Sequence, residues 1–256
     1  PDCRGDNCHN CGVCDFDALK MQLVDAGQAE LSPAATEQVP LPDPDDETQR
    51  YKIRLRLSKR GRARMVGHLE YLTMFQRAVR RAKLPVRFSQ GFHPTPKISY
   101  LEALPLGVES DAELVDIELY QPPKAKDVVT ALNQQLPQGF SILEGVVIDW
   151  RSPSPSAAVA RSIYRVTLPQ PIPEDLEQRI KNMLAAETIP LVKIKKGREV
   201  HSDLRPDLIN LQRLGDELEL TLVKGSPLQM AATLLDCEVE KVRKLGVCKT
   251  AIVLKP

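Results

Sequence analysis

The chain has 256 residues, of which 42% are hydrophobic and 27% charged, and its net charge is +1. That length can bury one large core or two medium cores. No apolar run reaches the roughly 18 residues of a membrane-spanning helix, so we expect no membrane partner. Four of the six cysteines fall within the first fourteen residues, a distribution that indicates a reducing cytoplasm rather than a secreted disulfide framework. Because the chain begins at Pro1 without a Met, we interpret it as part of a longer polypeptide.

The first predicted segment, residues 1–17, is a cysteine cluster. Its four thiols belong to Cys3, Cys8, Cys11 and Cys14. Thiolates at this density repel one another unless a cation neutralises them, and a C-x2-C step lets two sulfurs reach one metal. The spacing therefore predicts a metal site, and either an iron–sulfur cluster or a tetrahedral zinc ion fits it. A redox-active thiol cluster is the alternative.

Residues 18–49 have the composition of a linker. They contain several prolines and many acids without hydrophobic periodicity. Residues 1–49 together carry eleven acidic and two basic side chains. We favour a solvated tether here over a segment that folds back to shield the basic region described below.

Residues 50–150 predict a β-α-β-β-α-β order. Tyr51–Leu57 alternates apolar and basic residues, as a half-buried strand does. The next segment, Leu69–Ala82, places apolar residues at helical spacing, and Pro85 follows it. The other predicted elements are extended pieces at 86–89 and 98–101, a strand over Glu113–Tyr120, a helix over Lys124–Leu136 and a strand over Phe140–Trp150.

The same order recurs in residues 157–256, after a Ser/Pro-rich linker at 151–156. The predicted strands are Ser162–Leu168, Leu191–Lys195, Glu199–His201, Leu208–Leu214, Glu217–Val223 and Val247–Leu254, and the predicted helices are Pro173–Ala186 and Pro227–Leu235. The sequence thus predicts an α+β protein of two tandem ferredoxin-like units, with an extra strand in the second. The predicted boundaries are 50–150 and 157–256.

Positive charge is concentrated between Arg50 and Lys97. This segment contains ten arginines and four lysines but only one acidic residue, Glu70. Such a cluster attracts polyanions, and single-stranded RNA suits an open sheet with nearby aromatics. Strand cations Arg54 and Arg56 are expected to pair with acids of a neighbouring strand. We therefore assign RNA phosphates to the turn and helix cations, namely Arg62, Arg64, Arg77, Arg80 and Arg81.

The loop SQGFHPTPK, residues 89–97, follows the basic helix. Gly91 tolerates positive φ and two prolines stiffen the backbone, so we expect a ligand loop or a structural cover. Its candidate RNA-binding residues are Gly91, Phe92, His93 and Lys97. His68 and His93 are also candidate acid/base residues for RNA cleavage, although a structural role is favoured for both. In the second half, a local Asp203–Arg205 bond is expected to order a loop.

Three stretches carry a family resemblance. Residues 67–119, GHLEYLTMFQRAVRRAKLPVRFSQGFHPTPKISYLEALPLGVESDAELVDIEL, resemble the hallmark of the bacterial radical SAM-linked, or radical SAM-associated, proteins. That hallmark typically begins with Ser-His-Leu-Asp. In this chain Gly67 stands in place of the Ser and Glu70 in place of the Asp. HSDLRPDL, residues 201–208, resembles a second element of the family. The opening PDCRGDNCHNCGVCD resembles the tail of a cobalamin-type radical SAM polypeptide.

The resemblance implies a context rather than a reaction. It implies the C-terminal part of a fusion protein, or a product encoded beside a radical SAM domain, with AdoMet bound only in that missing domain. We hypothesise an RNA-binding substrate-recognition module that is not catalytic by itself. The alternatives are a metal-independent endoribonuclease with tandem ferredoxin-like units, by analogy of fold alone, and a protein-docking domain for the radical SAM partner.

Overall fold

The computed structural model describes residues 50–90, 92–195 and 198–255. The first half contains β1 (Tyr51–Lys59), a 3-10 helix (Gly61–Met65), α1 (His68–Arg81), β2 (Ile98–Tyr100), β3 (Glu109–Leu119), α2 (Ala125–Asn133) and β4 (Phe140–Ile148). The second half contains α3 (Pro155–Ala158), β5 (Val159–Thr167), α4 (Leu176–Ala185), β6 (Pro190–Lys195), β7 (Arg198–Asp203), a 3-10 helix (Arg205–Asp207), β8 (Leu208–Leu214), β9 (Glu217–Leu222), α5 (Pro227–Leu235), α6 (Val239–Leu245) and β10 (Val247–Leu254). The described residues thus have the expected α+β class.

One sheet runs through both halves in the order β4-β1-β3-β10-β5-β9-β8, with β2 also paired to β3. The first half orders its strands β4-β1-β3-β2, and every neighbouring pair is antiparallel. The second half repeats this pattern as β10-β5-β9-β8. A parallel pairing of β3 with β10 joins the halves. The hairpin β6-β7, inserted between α4 and β8, forms a separate two-stranded sheet.

The alternation of β1 decides which face of the sheet is covered. Ile53, Leu55 and Leu57 are buried in one apolar cluster with the inward face of α1, including Phe75 and Val79. Burying one such side chain contributes about 1.5–3 kcal/mol. Lys52, Arg54 and Arg56 consequently lie on the opposite face of the sheet.

The predicted linker at 151–156 lies over that opposite face and ends within α3. Lys52 donates to the carbonyl of Ser152 at 3.0 Å, and Arg54 donates to the carbonyl of Pro153 at 2.6 Å. Part of the sheet that we expected to be open is therefore occupied by the chain itself.

A buried ion pair lies where the two halves meet. Lys249 Nζ on β10 donates to Glu113 Oε1 on β3 at 2.7 Å, and the side chains are only 4% and 7% exposed. Burial acts most strongly on Lys249 and lowers its pKa, but the charge and hydrogen bond of Glu113, together with Tyr164 and Glu102, outweigh burial, so the pKa lies above its ordinary value. The second apolar core is built around Tyr164, Leu220 and Leu228. It packs on the same face of the sheet as the Lys249–Glu113 pair.

Within the described residues, no helix is both long enough and apolar enough to cross a membrane. The predicted cysteine segment (1–17) and acidic linker (18–49) lie outside the described residues.

Candidate nucleic-acid interface

Helix α1 carries the predicted phosphate-binding arginines on one exposed flank. The helix begins at His68, and the N–H of Gly67 donates to Glu70 Oε2 at 2.8 Å, which satisfies one of the free donors at the helix start. Its apolar positions recur every three or four residues and face the sheet. As a result Arg77, Arg80 and Arg81 project into solvent.

The loop that follows α1 is closed by backbone hydrogen bonds. Ser89 N–H donates to the Thr95 carbonyl at 2.8 Å, and Thr95 N–H donates to Ser89 Oγ at 3.0 Å. Next to these contacts, on the side of the sheet, Phe88 and Pro96 form an antiparallel β-bridge. The predicted stiffness of the loop thus has a source in paired backbone as well as in proline. Gly91 lies outside the described residues.

A groove of about 410 Å³ separates α1 from this loop. Its walls are mostly apolar, and polar side chains lie toward the helix. The lining residues are Thr73, Gln76, Arg77, Val79, Arg80, Leu84, Val86, Phe88, Pro94 and Pro96. The fold therefore brings two of the predicted cations and the predicted loop to one concave surface.

The five turn and helix cations have no carboxylate partner within the described residues. They are Arg62, Arg64, Arg77, Arg80 and Arg81. Arg81 donates to the backbone carbonyl of Gln135, an uncharged acceptor, at 2.7 Å. Arg62 and Arg64 lie on the 3-10 helix just before α1. The positive charge of this surface is thus not neutralised by the described part of the chain.

Several cations on and beside the strands pair with acids instead. Arg54 makes a bidentate pair with buried Asp116 at 2.7 and 2.8 Å, so the predicted cross-strand pairing is confirmed there. Arg56 pairs with the Glu144 carboxylate of β4 at 3.3 Å, and its contact with β3 is to the backbone carbonyl of Asp111 at 3.2 Å. The ion-paired basic residues of this region are Arg54, Arg56, Arg60 and Lys97.

The remaining loop candidates differ in their surroundings. Lys97 Nζ lies 3.8 Å from Glu118, so its charge is partly offset. Phe92 is fully exposed, and it does not line the groove. The aromatic side chain that does line it is Phe88, which is 42% exposed. Phe88 was not among the predicted RNA-binding residues.

The two candidate acid/base histidines lie outside the groove lining. His68 is half-buried at the start of α1, where its ring centroid is 6.5 Å from that of Tyr71. His93 is exposed on the loop. Neither forms an ion pair with an acid among the residues that the structure describes. The arrangement supplies no observation that favours RNA cleavage.

The second-half motif is a structural loop. Asp203 Oδ1 accepts the backbone N–H groups of Ile189 at 2.7 Å and Arg205 at 2.9 Å, which hold the pKa of Asp203 below its ordinary value. The Arg205 guanidinium donates to the carbonyls of Leu184, Ala186 and Leu208. The predicted local bond is confirmed, with the Arg205 backbone as its donor.

A buried polar cluster at the seam between the halves was not predicted. Burial, followed by the charge of Glu113, raises the pKa of Tyr71, and burial raises that of Tyr100. Neither hydroxyl has a hydrogen-bond partner in the described part of the chain. Lys59 donates to the Val66 carbonyl at 2.8 Å, and burial lowers its pKa. The sequence signal would have been Lys249, the one charged residue in the otherwise uncharged strand β10.

The predicted metal ligands, Cys3, Cys8, Cys11 and Cys14, lie outside the described residues, so zinc or an iron–sulfur cluster stays a prediction. Across residues 50–90, 92–195 and 198–255, no group of three or more His, Cys, Asp or Glu side chains is arranged to hold a metal ion.

Comparison with protein families gives one match. The model of a family described as an uncharacterized protein conserved in bacteria (DUF2344) matches residues 52–242. The matched range runs from β1 into α6 and includes the groove and its cations. A search of curated proteins found no match.

Proposed function

We propose that this chain, which belongs to the bacterial family DUF2344, is a single-stranded-RNA-binding module whose phosphate contacts come from α1 and the preceding 3-10 helix. The observation that carries the proposal is the division of the basic residues into two sets. The strand arginines Arg54 and Arg56 are paired with acids, whereas the turn and helix cations have no carboxylate partner among the residues that the structure describes. Unpaired surface cations next to a concave groove bind phosphates with release of counterions.

The fold supports the same proposal. Each half repeats the β-α-β-β-α-β order, with the hairpin β6-β7 as an insertion, and we interpret the halves as tandem ferredoxin-like units. RNA-binding modules of this topology usually use the open sheet. Here the charges of Arg54 and Arg56 are offset by acids on that face, so the phosphate contacts move to the helix side.

The radical AdoMet context is part of the proposal and rests on the resemblance of residues 67–119 and 201–208. The module would present RNA to a radical SAM domain, fused to it or encoded nearby, and would not be catalytic itself. Co-purification of the two proteins that survives nuclease treatment, together with no salt-dependent RNA binding by the wild-type chain, would instead support a protein-docking domain.

The test compares two triple variants with equal loss of charge. R77Q/R80Q/R81Q removes three arginines without a carboxylate partner among the described residues, and R165Q/R179Q/R213Q removes three exposed or half-exposed arginines that pair with acids. Affinity for a single-stranded RNA is measured by fluorescence anisotropy. At 0.1 M salt the first variant should bind roughly 100-fold more weakly, since each lost phosphate contact removes a factor of about five there. The second should bind like the wild type.

Equal affinity of both variants would refute the proposed interface. Gel analysis of the same mixtures tests the endoribonuclease alternative. Intact RNA is the expected result, and metal-independent cleavage that disappears in His68→Ala or His93→Ala would contradict the non-catalytic role.

A further inference from the structure

We infer that the groove between α1 and the loop takes one unpaired nucleobase of the bound RNA, stacked on Phe88. This inference rests on the proposed function and adds the class of RNA, namely a strand with a base free of pairing and stacking. It assigns the cations to the phosphates and the groove to the base.

The first argument is the chemistry of the groove walls. Val79, Leu84 and Val86 form an apolar floor, and Pro94 and Pro96 face it from the loop. A nucleobase has two apolar faces, and aromatic stacking recognises them without regard to sequence. A groove that bound phosphate alone would not need this much apolar surface.

The second argument is the position of Phe88. It is the aromatic residue among the groove-lining residues, and it is 42% exposed, so part of the residue packs against the protein while the rest is free. The β-bridge to Pro96 fixes the backbone of Phe88, and the Ser89–Thr95 hydrogen bonds close the loop beyond it. A preformed stacking surface loses little conformational entropy on binding.

The third argument is the placement of polar groups. Arg77 and Arg80 lie on the helix side of the groove, beside Thr73 and Gln76. Guanidinium groups there reach the phosphates of a nucleotide whose base lies in the groove, and the amide and hydroxyl are able to hydrogen-bond a base edge. A volume of about 410 Å³ falls in the range of about 300–1,000 Å³ typical of small-molecule pockets.

Duplex RNA does not fit this arrangement, because its bases are stacked and paired and only its backbone is presented. An acidic protein segment with an apolar side chain is the competing occupant. An experiment can distinguish the two occupants by the side chain at residue 88. A stacked nucleobase requires an aromatic face there, whereas an apolar side chain of a bound protein segment does not.

The experiment uses the full chain and a single-stranded oligonucleotide with 2-aminopurine at one position. Phe88 is replaced by Ala, Leu and Trp, and Leu69→Ala is the control, because Leu69 is exposed on the same helix and does not line the groove. Three competitors carry the same number of negative charges: an abasic strand, a duplex and a polyglutamate peptide. Circular dichroism checks that each variant is folded.

We expect Phe88→Ala and Phe88→Leu to weaken single-strand binding about five- to 150-fold, the range that corresponds to one stacked base. Phe88→Trp should retain affinity and quench 2-aminopurine, and Leu69→Ala should change nothing. The abasic strand and the duplex should bind more weakly than the single strand and be insensitive to residue 88.

Two results would overturn the inference. One is abasic RNA or polyglutamate competing as well as the single strand. The other is Phe88→Leu binding as tightly as the wild type. In either case, weaker binding by R77Q/R80Q/R81Q would leave the proposed function standing. If no RNA binds in a salt-dependent way, the proposed function itself fails.

Discussion

Replacing Lys249 with Met should destabilise the protein strongly, because it leaves the Glu113 carboxylate buried without a cation. The two side chains are 4% and 7% exposed, and their charged atoms are 2.7 Å apart. Breaking one partner of such a pair costs about 3–5 kcal/mol, which is a large fraction of the 5–15 kcal/mol typical of a domain. The strand pairing that joins the two halves is short, since β3 and β10 are aligned over only two residue pairs.

Urea unfolding followed by circular dichroism and by the fluorescence of Trp150 measures this effect. The double variant Lys249→Met/Glu113→Met should recover most of the loss, because apolar replacement of a whole buried pair is often neutral. Glu217→Gln, at the exposed pair with Arg165, is the control and should change the free energy of unfolding by about 1 kcal/mol or less. A loss below about 1 kcal/mol for Lys249→Met, or a double variant no more stable than the single one, would refute the reasoning.

The Lys249–Glu113 pair should also make the free energy of unfolding depend on pH. The folded pKa of Lys249 is raised, so its contribution is fully present below the ordinary lysine pKa of about 10.4 and is lost as pH rises through the folded value. Lys59 acts with the opposite sign, since its lowered pKa means that its charged form disfavours the folded state. Wild-type stability should therefore fall more steeply than that of Lys249→Met above about pH 10.4. Parallel slopes in urea titrations across that range would contradict this.

Three further predictions concern single residues. Arg205→Gln removes guanidinium bonds to three carbonyls and should lower the free energy of unfolding by about 1.5–3 kcal/mol, measured in urea. Cys248, whose pKa burial raises to about 11, should be alkylated slowly at pH 8 and faster as pH approaches that value, as followed by mass spectrometry. Gly139→Ala should destabilise by at least about 1 kcal/mol, because φ is +91° and a Cβ there would lie 2.7 Å from the Arg60 carbonyl and 2.8 Å from Ala63 Cβ; a melting temperature equal to the wild type would contradict it.

Local signals in the sequence were sufficient for most elements. The predicted ranges Leu208–Leu214, Pro227–Leu235 and Val247–Leu254 match β8, α5 and β10 to the residue. Each has a local cause, such as the Gly215-Asp216 turn after β8 or the Ser226 side chain, which accepts from Gln229 N–H at the start of α5. Such signals act over a few residues and can be read from a single sequence.

Other elements depend on contacts that local patterns do not record. β3 begins at Glu109, four residues before the predicted start, because its first residues pair with β10 and with the bulged end of β1. Helix α6, Val239–Leu245, was not predicted, since it is short and its buried residue is Val242 alone. The joining of the halves by β3 and β10 is a long-range pairing that periodicity cannot encode.

The candidate site was predicted in part, for the same reason. Charge density identified the basic helix, and strand alternation identified the pairing of Arg54 with Asp116. The neutralisation of Arg60 by Glu109 and Asp111 was missed, because those acids come from the unpredicted start of β3. The groove was also missed, since it exists only when the loop closes beside α1.

The salt dependence of RNA affinity tests the central claim most directly. If five unpaired cations contact phosphates of a single strand, a plot of log K against log salt should have a slope of about −3.5, and R77Q/R80Q/R81Q should reduce it to about −1.4. A slope near zero for the wild type, or the same slope for the variant, would contradict the claim that these arginines bind an external polyanion.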